Sequence, residues 1–98
     1  MATIDIRRTH RLSMVEAKEK AEELARGMEQ KLGVRWSWSG EVIVFDVPSG
    51  KAKGAKGVVT LAGQEVRVEI DLPFLLSALK GAVRGKVAEK LDKLLGPP

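Results

Sequence analysis

Two periodicities of apolar and polar residues divide the chain, and the points where one gives way to the other mark the element boundaries. Ile4 and Ile6 alternate with Thr3, Asp5 and Arg7, which predicts a short strand with one buried face. The period then lengthens. Ala17, Ala21, Leu24, Ala25, Met28 and Leu32 recur at spacings of three and four, forming the stripe of an amphipathic helix. Ser13-Met14-Val15-Glu16 supplies its start as a capping box, in which the Ser13 hydroxyl accepts from the Glu16 amide and the Glu16 carboxylate accepts from the Ser13 amide. Leu12 is placed to staple against Ala17. Glu16–Lys20 and Glu22–Arg26 are i, i+4 pairs on the wet side, and Gly33 is the C-terminal stop.

Period two then returns for four runs. Val34, Trp36 and Trp38 alternate with Arg35, Ser37 and Ser39. Ser39-Gly40 makes a tight turn into Glu41–Val47, with Val42 and Val44 on one face and Ile43, Phe45 and Val47 on the other. Pro48-Ser49-Gly50 ends that strand, and the loop Lys51–Lys56 leads to a strand over Gly57–Ala62. After a turn at Gly63, Val66, Val68, Ile70 and Leu72 alternate with Glu65, Arg67, Glu69 and Asp71. Pro73 closes this run. From Phe74 to about Leu95 the pattern is helical again, with Leu75, Leu79, Val83, Val87, Leu91 and Leu95 at i, i+4 and Leu76 and Leu94 widening the stripe. The expected fold is therefore α+β in the order β-α-β-β-β-β-α. It is a single domain, 1–98, whose antiparallel sheet is covered on one face by the N-terminal helix and a long C-terminal helix. Gly81 and Gly85, with Ala78, Ala82 and Ala88, form a second stripe of small residues on that last helix. Each glycine costs about 1 kcal/mol relative to alanine in a helix interior, so close approach by the sheet, the first helix or a partner is expected there.

At 98 residues there is room for one core. The chain has no cysteine and one histidine, which removes disulfides, thiolate metal sites, a cysteine nucleophile and a paired-histidine metal site. No metal or cofactor is expected. No apolar run reaches the roughly 20 residues of a membrane span, and the alternating N-terminus does not read as a signal peptide. A cytoplasmic location is the expectation. The formal charge of +4 lies wholly in the second half. Residues 1–48 hold 8 basic and 8 acidic groups, whereas residues 49–98 hold 9 and 5. A modest excess of this kind serves solubility or draws an acidic partner.

None of the candidate chemical motifs completes itself. Gly50-Lys51 lacks the spacing, the following Ser or Thr and the following helix that a phosphate-binding loop requires. His10 has Ser13 three residues on, but that hydroxyl is the helix cap, so a structural bond to backbone or a helix end is expected for the imidazole. Asp5, Asp46, Glu69 and Asp71 fall on solvent-facing strand positions, with no pair set for acid–base work. Trp36 and Trp38, two apart on one strand face beside Arg35, suit either a helix-covered core or base stacking. The aromatic motif of an RNA-recognition strand is missing and the element order differs, so nucleic-acid binding is the weaker reading. The last helix carries Lys80, Arg84, Lys86, Lys90 and Lys93 against Glu89 and Asp92. Such a helix either covers the sheet while its lysines rim it or lies at an apolar–water boundary.

Ile4-Asp5-Ile6-Arg7-Arg8-Thr9-His10-Arg11-Leu12, the helix start at Ser13 with Ala17, and Leu72-Pro73-Phe74-Leu75-Leu76 leading to Leu91-Asp92-Lys93-Leu94-Leu95 together resemble the small polyhydroxyalkanoic acid system family. The segment from Gly54 to Leu61 resembles that family's glycine-bearing approach to a strand. The resemblance spans essentially the whole chain. It implies a bacterial cytoplasmic protein of storage-polyester metabolism or the granule region, with no catalytic residues to carry over. The function expected is a non-enzymatic accessory protein that meets the polyhydroxyalkanoate granule surface or its proteins. Phe74, Leu75, Leu76 and Leu79 would be the apolar contacts, with Lys80 and Arg84 as interfacial charges. The alternatives are a hydrophobic ligand held between sheet and C-terminal helix beside Trp36 and Trp38, and weak nucleic-acid binding. The sequence leaves open a homodimer through a strand edge or the Gly81/Gly85 stripe.

Overall fold

The structure is a computed structural model that describes residues 3–50 and 52–96; Lys51, counted above in the basic loop, lies outside the described residues. Strand β1 (Ile4–Thr9) leads into helix α1 (Met14–Leu32), and strands β2 (Arg35–Ser39), β3 (Val42–Asp46), β4 (Lys56–Ala62) and β5 (Glu65–Asp71) follow. A 3₁₀ segment, Phe74–Leu79, runs directly into helix α2 (Lys80–Leu95). The strands form one sheet in the order β1-β5-β4-β3-β2, and every neighbouring pair is antiparallel. Consecutive strands β2 to β5 are sheet neighbours, while α1 carries the chain from the β1 edge to the β2 edge. The α+β fold and element order expected from the pattern are those observed.

Alternation decides the faces. Ile4, Ile6, Ile43, Phe45, Val59, Leu61, Val66, Val68 and Ile70 are buried on the face that both helices cover. Gly57 lies between Phe45 and Ile70 on this face. A Cβ there would collide with the Glu69 carbonyl oxygen and fall 2.7 Å from the Phe45 ring, so glycine is what lets β5 and the phenylalanine come this close to β4. Helix α1 closes the face with Ala17, Ala21, Leu24, Ala25 and Met28, and α2 adds Val87, Leu91 and Leu95. The capping box of α1 is complete: Glu16 N–H donates to Ser13 Oγ, and Ser13 N–H donates to Glu16 Oε1, each at 3.2 Å. Glu16 is thereby occupied, and Lys20 pairs instead with Glu23 at 3.8 Å. Glu22 and Arg26 make the expected i, i+4 pair at 3.1 Å.

Two expectations need correction. The helical pattern from Phe74 does not begin as an α-helix. Pro73 occupies the capping position with no side-chain hydrogen bond, and Leu76 N–H donates to Pro73 C=O at 2.8 Å. That is the tighter i→i+3 geometry with which uncapped helix ends satisfy their amides. Neither the sheet nor α1 approaches Gly81 or Gly85, since a Cβ on either would meet nothing within 4 Å. Both glycines face outward.

Candidate functional site

The segment after β5 turns outward because Pro73 packs into the loop before β4. Gly54 holds a positive φ of +95°, and a Cβ on it would fall 2.8 Å from Pro73 Cγ. The glycine thus admits the proline ring. Pro73 fixes the direction in which the 3₁₀ segment leaves the sheet, and Phe74 and Leu75 emerge at its tip. They are 89% and 91% exposed, and Leu79 is 44% exposed. Leu76 is half-buried, while Ser77, Ala78, Lys80 and Arg84 are exposed. Met14, Val15, Leu32 and Val44 are also exposed, at 37–68%, but Phe74 and Leu75 are the two large apolar side chains that stand almost wholly in water, and an exposed apolar patch is where a contact is sought.

No acidic side chain lies between Leu72 and Ala88. The charges flanking the exposed residues on their own segment, Lys80 and Arg84, are therefore all positive, and Lys53 is exposed in the loop that receives Pro73. Lys80 and Arg84 lie in the first half of α2, and neither is paired with a carboxylate among the described residues.

Phe74, Leu75, Leu76, Leu79, Lys80 and Arg84 thus share one continuous segment. Trp36 and Trp38 are elsewhere, on the covered face of β2 against α1. Their indole N–H groups donate to Glu29 at 2.8 Å and Glu22 at 2.7 Å, so the tryptophans tie the edge strand to the helix. They do not border the enclosed space between sheet and helices. That space, lined in part by Met28, Phe45, Ile70 and Val87, measures only about 30 Å³, room for a single water and far below a ligand pocket. Sequence reasoning missed Gly54 and Pro73 as positioning residues. The signal available was the Leu72-Pro73 step, which directs the preceding residue away from helix.

Among the described residues, the opposite face of the sheet carries no helix. Val42, Val44 and Val58 run through its centre, and a shallow open depression of about 640 Å³ includes Arg35, Ser37, Val44, Asp46, Lys56 and Val58. Two bidentate ion pairs lie on this face, the first beside the depression and the second between β5 and β1. Arg35 donates to Asp46 at 3.1 and 2.9 Å, and Arg67 donates to Asp5 at 3.1 and 2.7 Å. These hydrogen bonds hold both carboxyls below the usual aspartate range and both guanidinium groups above theirs. His10 is buried, and its Nδ1 accepts from Leu12 N–H at 3.1 Å, the backbone role expected of it. Its Nε2 is buried with no hydrogen-bond partner.

An antiparallel sheet with both helices on one face and an outward apolar turn defines a small α+β protein whose distinctive feature is a surface rather than a cleft. Comparison with known families is specific. The model of the family described as "putative polyhydroxyalkanoic acid system protein" matches residues 4–95, and the chain belongs to that family. No curated protein matches it in sequence. Among the described residues, no helix is long and apolar enough to cross a membrane.

Proposed function

We propose that the protein is a non-enzymatic accessory factor of polyhydroxyalkanoate storage that docks on the granule surface through the turn at Phe74–Leu79. The observation that carries this reading is the near-complete exposure of Phe74 and Leu75 in a chain of this family. A polyester surface offers what water does not. Burial of each side chain against it contributes about 1.5–3 kcal/mol, before the cost of immobilising the protein. Leu76 is half-buried, and Leu79 extends the contact. Lys80 and Arg84 sit at the boundary, where they can meet carboxylates of granule-coat proteins or polymer end groups. The protein acts in the cytoplasm, where granules lie.

The test is co-sedimentation of the full chain with washed polyhydroxyalkanoate granules at low and high salt. Leu75→Glu is the informative variant, because Leu76→Glu would also disturb a half-buried position. The wild type should pellet with granules at both salt concentrations, and Leu75→Glu should stay in the supernatant with an unchanged circular dichroism spectrum. A wild type that remains soluble, or a Leu75→Glu variant that pellets equally well, would overturn the reading.

A further inference from the structure

The two edges of the sheet are treated differently. Along β1 the last helix lies close: Arg8 Nε reaches Asp92 at 2.8 Å, and Arg8 Nη1 donates to the main-chain carbonyl of Arg7 at 2.9 Å. Strand β2 lies at the other end of the order and, among the described strands, pairs with β3 alone.

The hydrogen-bond phase of β2 follows from the strands inside it. Val47 N–H donates to Ala55 C=O at 2.8 Å, and Leu61 N–H donates to Glu41 C=O at 3.4 Å. Odd-numbered residues along β3 therefore bond toward β4. Its even-numbered residues, Val42, Val44 and Asp46, bond the other way, to Ser39, Ser37 and Arg35. The main-chain N–H and C=O groups of Trp36 and Trp38 must then point out of the sheet, with no strand beyond them. Of the usual guards of a bare edge, proline, lysine and a bulge are lacking. Arg35–Ser39 contains no proline and no lysine, its register with β3 is unbroken, and the charge of Arg35 is already held by Asp46.

We infer that β2 is a self-association edge, on which a second copy of this chain pairs its own β2 antiparallel about a two-fold axis through Ser37. In that register Trp36 of each copy faces Trp38 of the other, so all four outward-pointing main-chain groups on each strand are used reciprocally. Arg35 faces Ser39, and no like charges oppose each other along the strand. A register centred on Trp36 instead would pair that residue with itself and leave Trp38 beyond the partner's strand. The half-buried indoles of the two copies gather on the covered face, each shielding a neighbour from water. Because Ser37 falls on the axis as a non-hydrogen-bonded pair, its Cα atoms come within about 4.5 Å of each other, inside disulfide range.

This inference does not depend on granule docking, and its test is separate. Sedimentation velocity of the full chain up to about 100 μM should show a monomer–dimer equilibrium, with a tryptophan emission shift on dilution, since the two tryptophans both lie at the interface. Ser37→Lys places two cations together at the axis and should weaken dimerisation at least about tenfold. Leu75→Glu should leave it unchanged. In this cysteine-free chain, Ser37→Cys should form a disulfide-linked dimer under mild oxidation, and Ser77→Cys in the 3₁₀ segment should not. A wild type that stays monomeric throughout would overturn the inference. So would a Ser37→Lys variant that dimerises normally, loss of the dimer in Leu75→Glu, or cross-linking of Ser77→Cys as fast as Ser37→Cys.

Discussion

Leu75 and Leu91 stand on the same i, i+4 stripe of the same C-terminal run, yet one is 91% exposed and the other 2%. The difference lies in what surrounds them. From Val87 onward the stripe faces a sheet surface already lined by Ile4, Ile6 and the β5 residues, and Arg8 pairs with Asp92 at the margin. At the other end the run begins uncapped after Pro73, in 3₁₀ geometry, with Lys80 and Arg84 exposed and open space where a Cβ on Gly81 or Gly85 would stand. One end is part of the core. The other is held in place by the core but contributes little to it, which is what an apolar contact surface on a stable body requires.

Truncation gives the largest expected separation between the two ends. Leu91→Ala should destabilise the fold by about 2–5 kcal/mol, the range for a buried leucine that leaves a cavity. Leu75→Ala should change stability by no more than about 0.5 kcal/mol while weakening granule binding. Urea unfolding followed by circular dichroism measures the first pair of values, and co-sedimentation measures the last. A cost above about 1 kcal/mol for Leu75→Ala would mean that the exposed end is core after all, and the comparison would fail.

The pattern along the chain was enough to place every strand, the capped first helix and the buried side of the second, because alternation and i, i+4 spacing report directly on which side chains share a face. It did not separate Leu75 from Leu91. Both satisfy the same helical template, and only the extent of the sheet beneath them distinguishes cover from overhang. The same applies to Trp36 and Trp38. Their shared face followed from their spacing, but their indole bonds to Glu29 and Glu22 depend on where α1 crosses the edge. The glycine stripe misled in an instructive way. Glycine in a helix often signals close approach, yet Gly81 and Gly85 have open space around them, so their effect is to weaken the first half of α2.

That weakness is testable as a second, smaller effect. Gly85→Ala lies within α2 with nothing in the way of a Cβ, and it should stabilise the protein by about 0.5–1 kcal/mol through helix propensity alone. A higher thermal midpoint at unchanged granule affinity would show that the exposed end is limited by local propensity. Destabilisation would show instead that the site needs glycine for a contact made in solution, such as one with a partner along this stripe.

Acid gives the finest discrimination, because the apolar turn and the bare face of the sheet differ in what they titrate. Between Leu72 and Ala88 there is no carboxylate, so docking through Phe74 and Leu75 should be the same at pH 7 and pH 5. On the bare face, hydrogen bonds from Arg67 and Arg35 hold Asp5 and Asp46 below the ordinary aspartate value. A carboxyl whose pKa is lower folded than unfolded adds stability above the unfolded value, near 3.9, and loses it as pH falls through the folded one. The unfolding midpoints of Asp5→Asn and Asp46→Asn should therefore lie slightly below that of the wild type at pH 7, and the gap should close only below about pH 4. The effect is small because both pairs are exposed. A gap that closes already between pH 7 and pH 5 would mean that these aspartates are not held by their arginines. Granule binding that falls over that same interval would instead place a titrating group at the contact and count against a purely apolar turn.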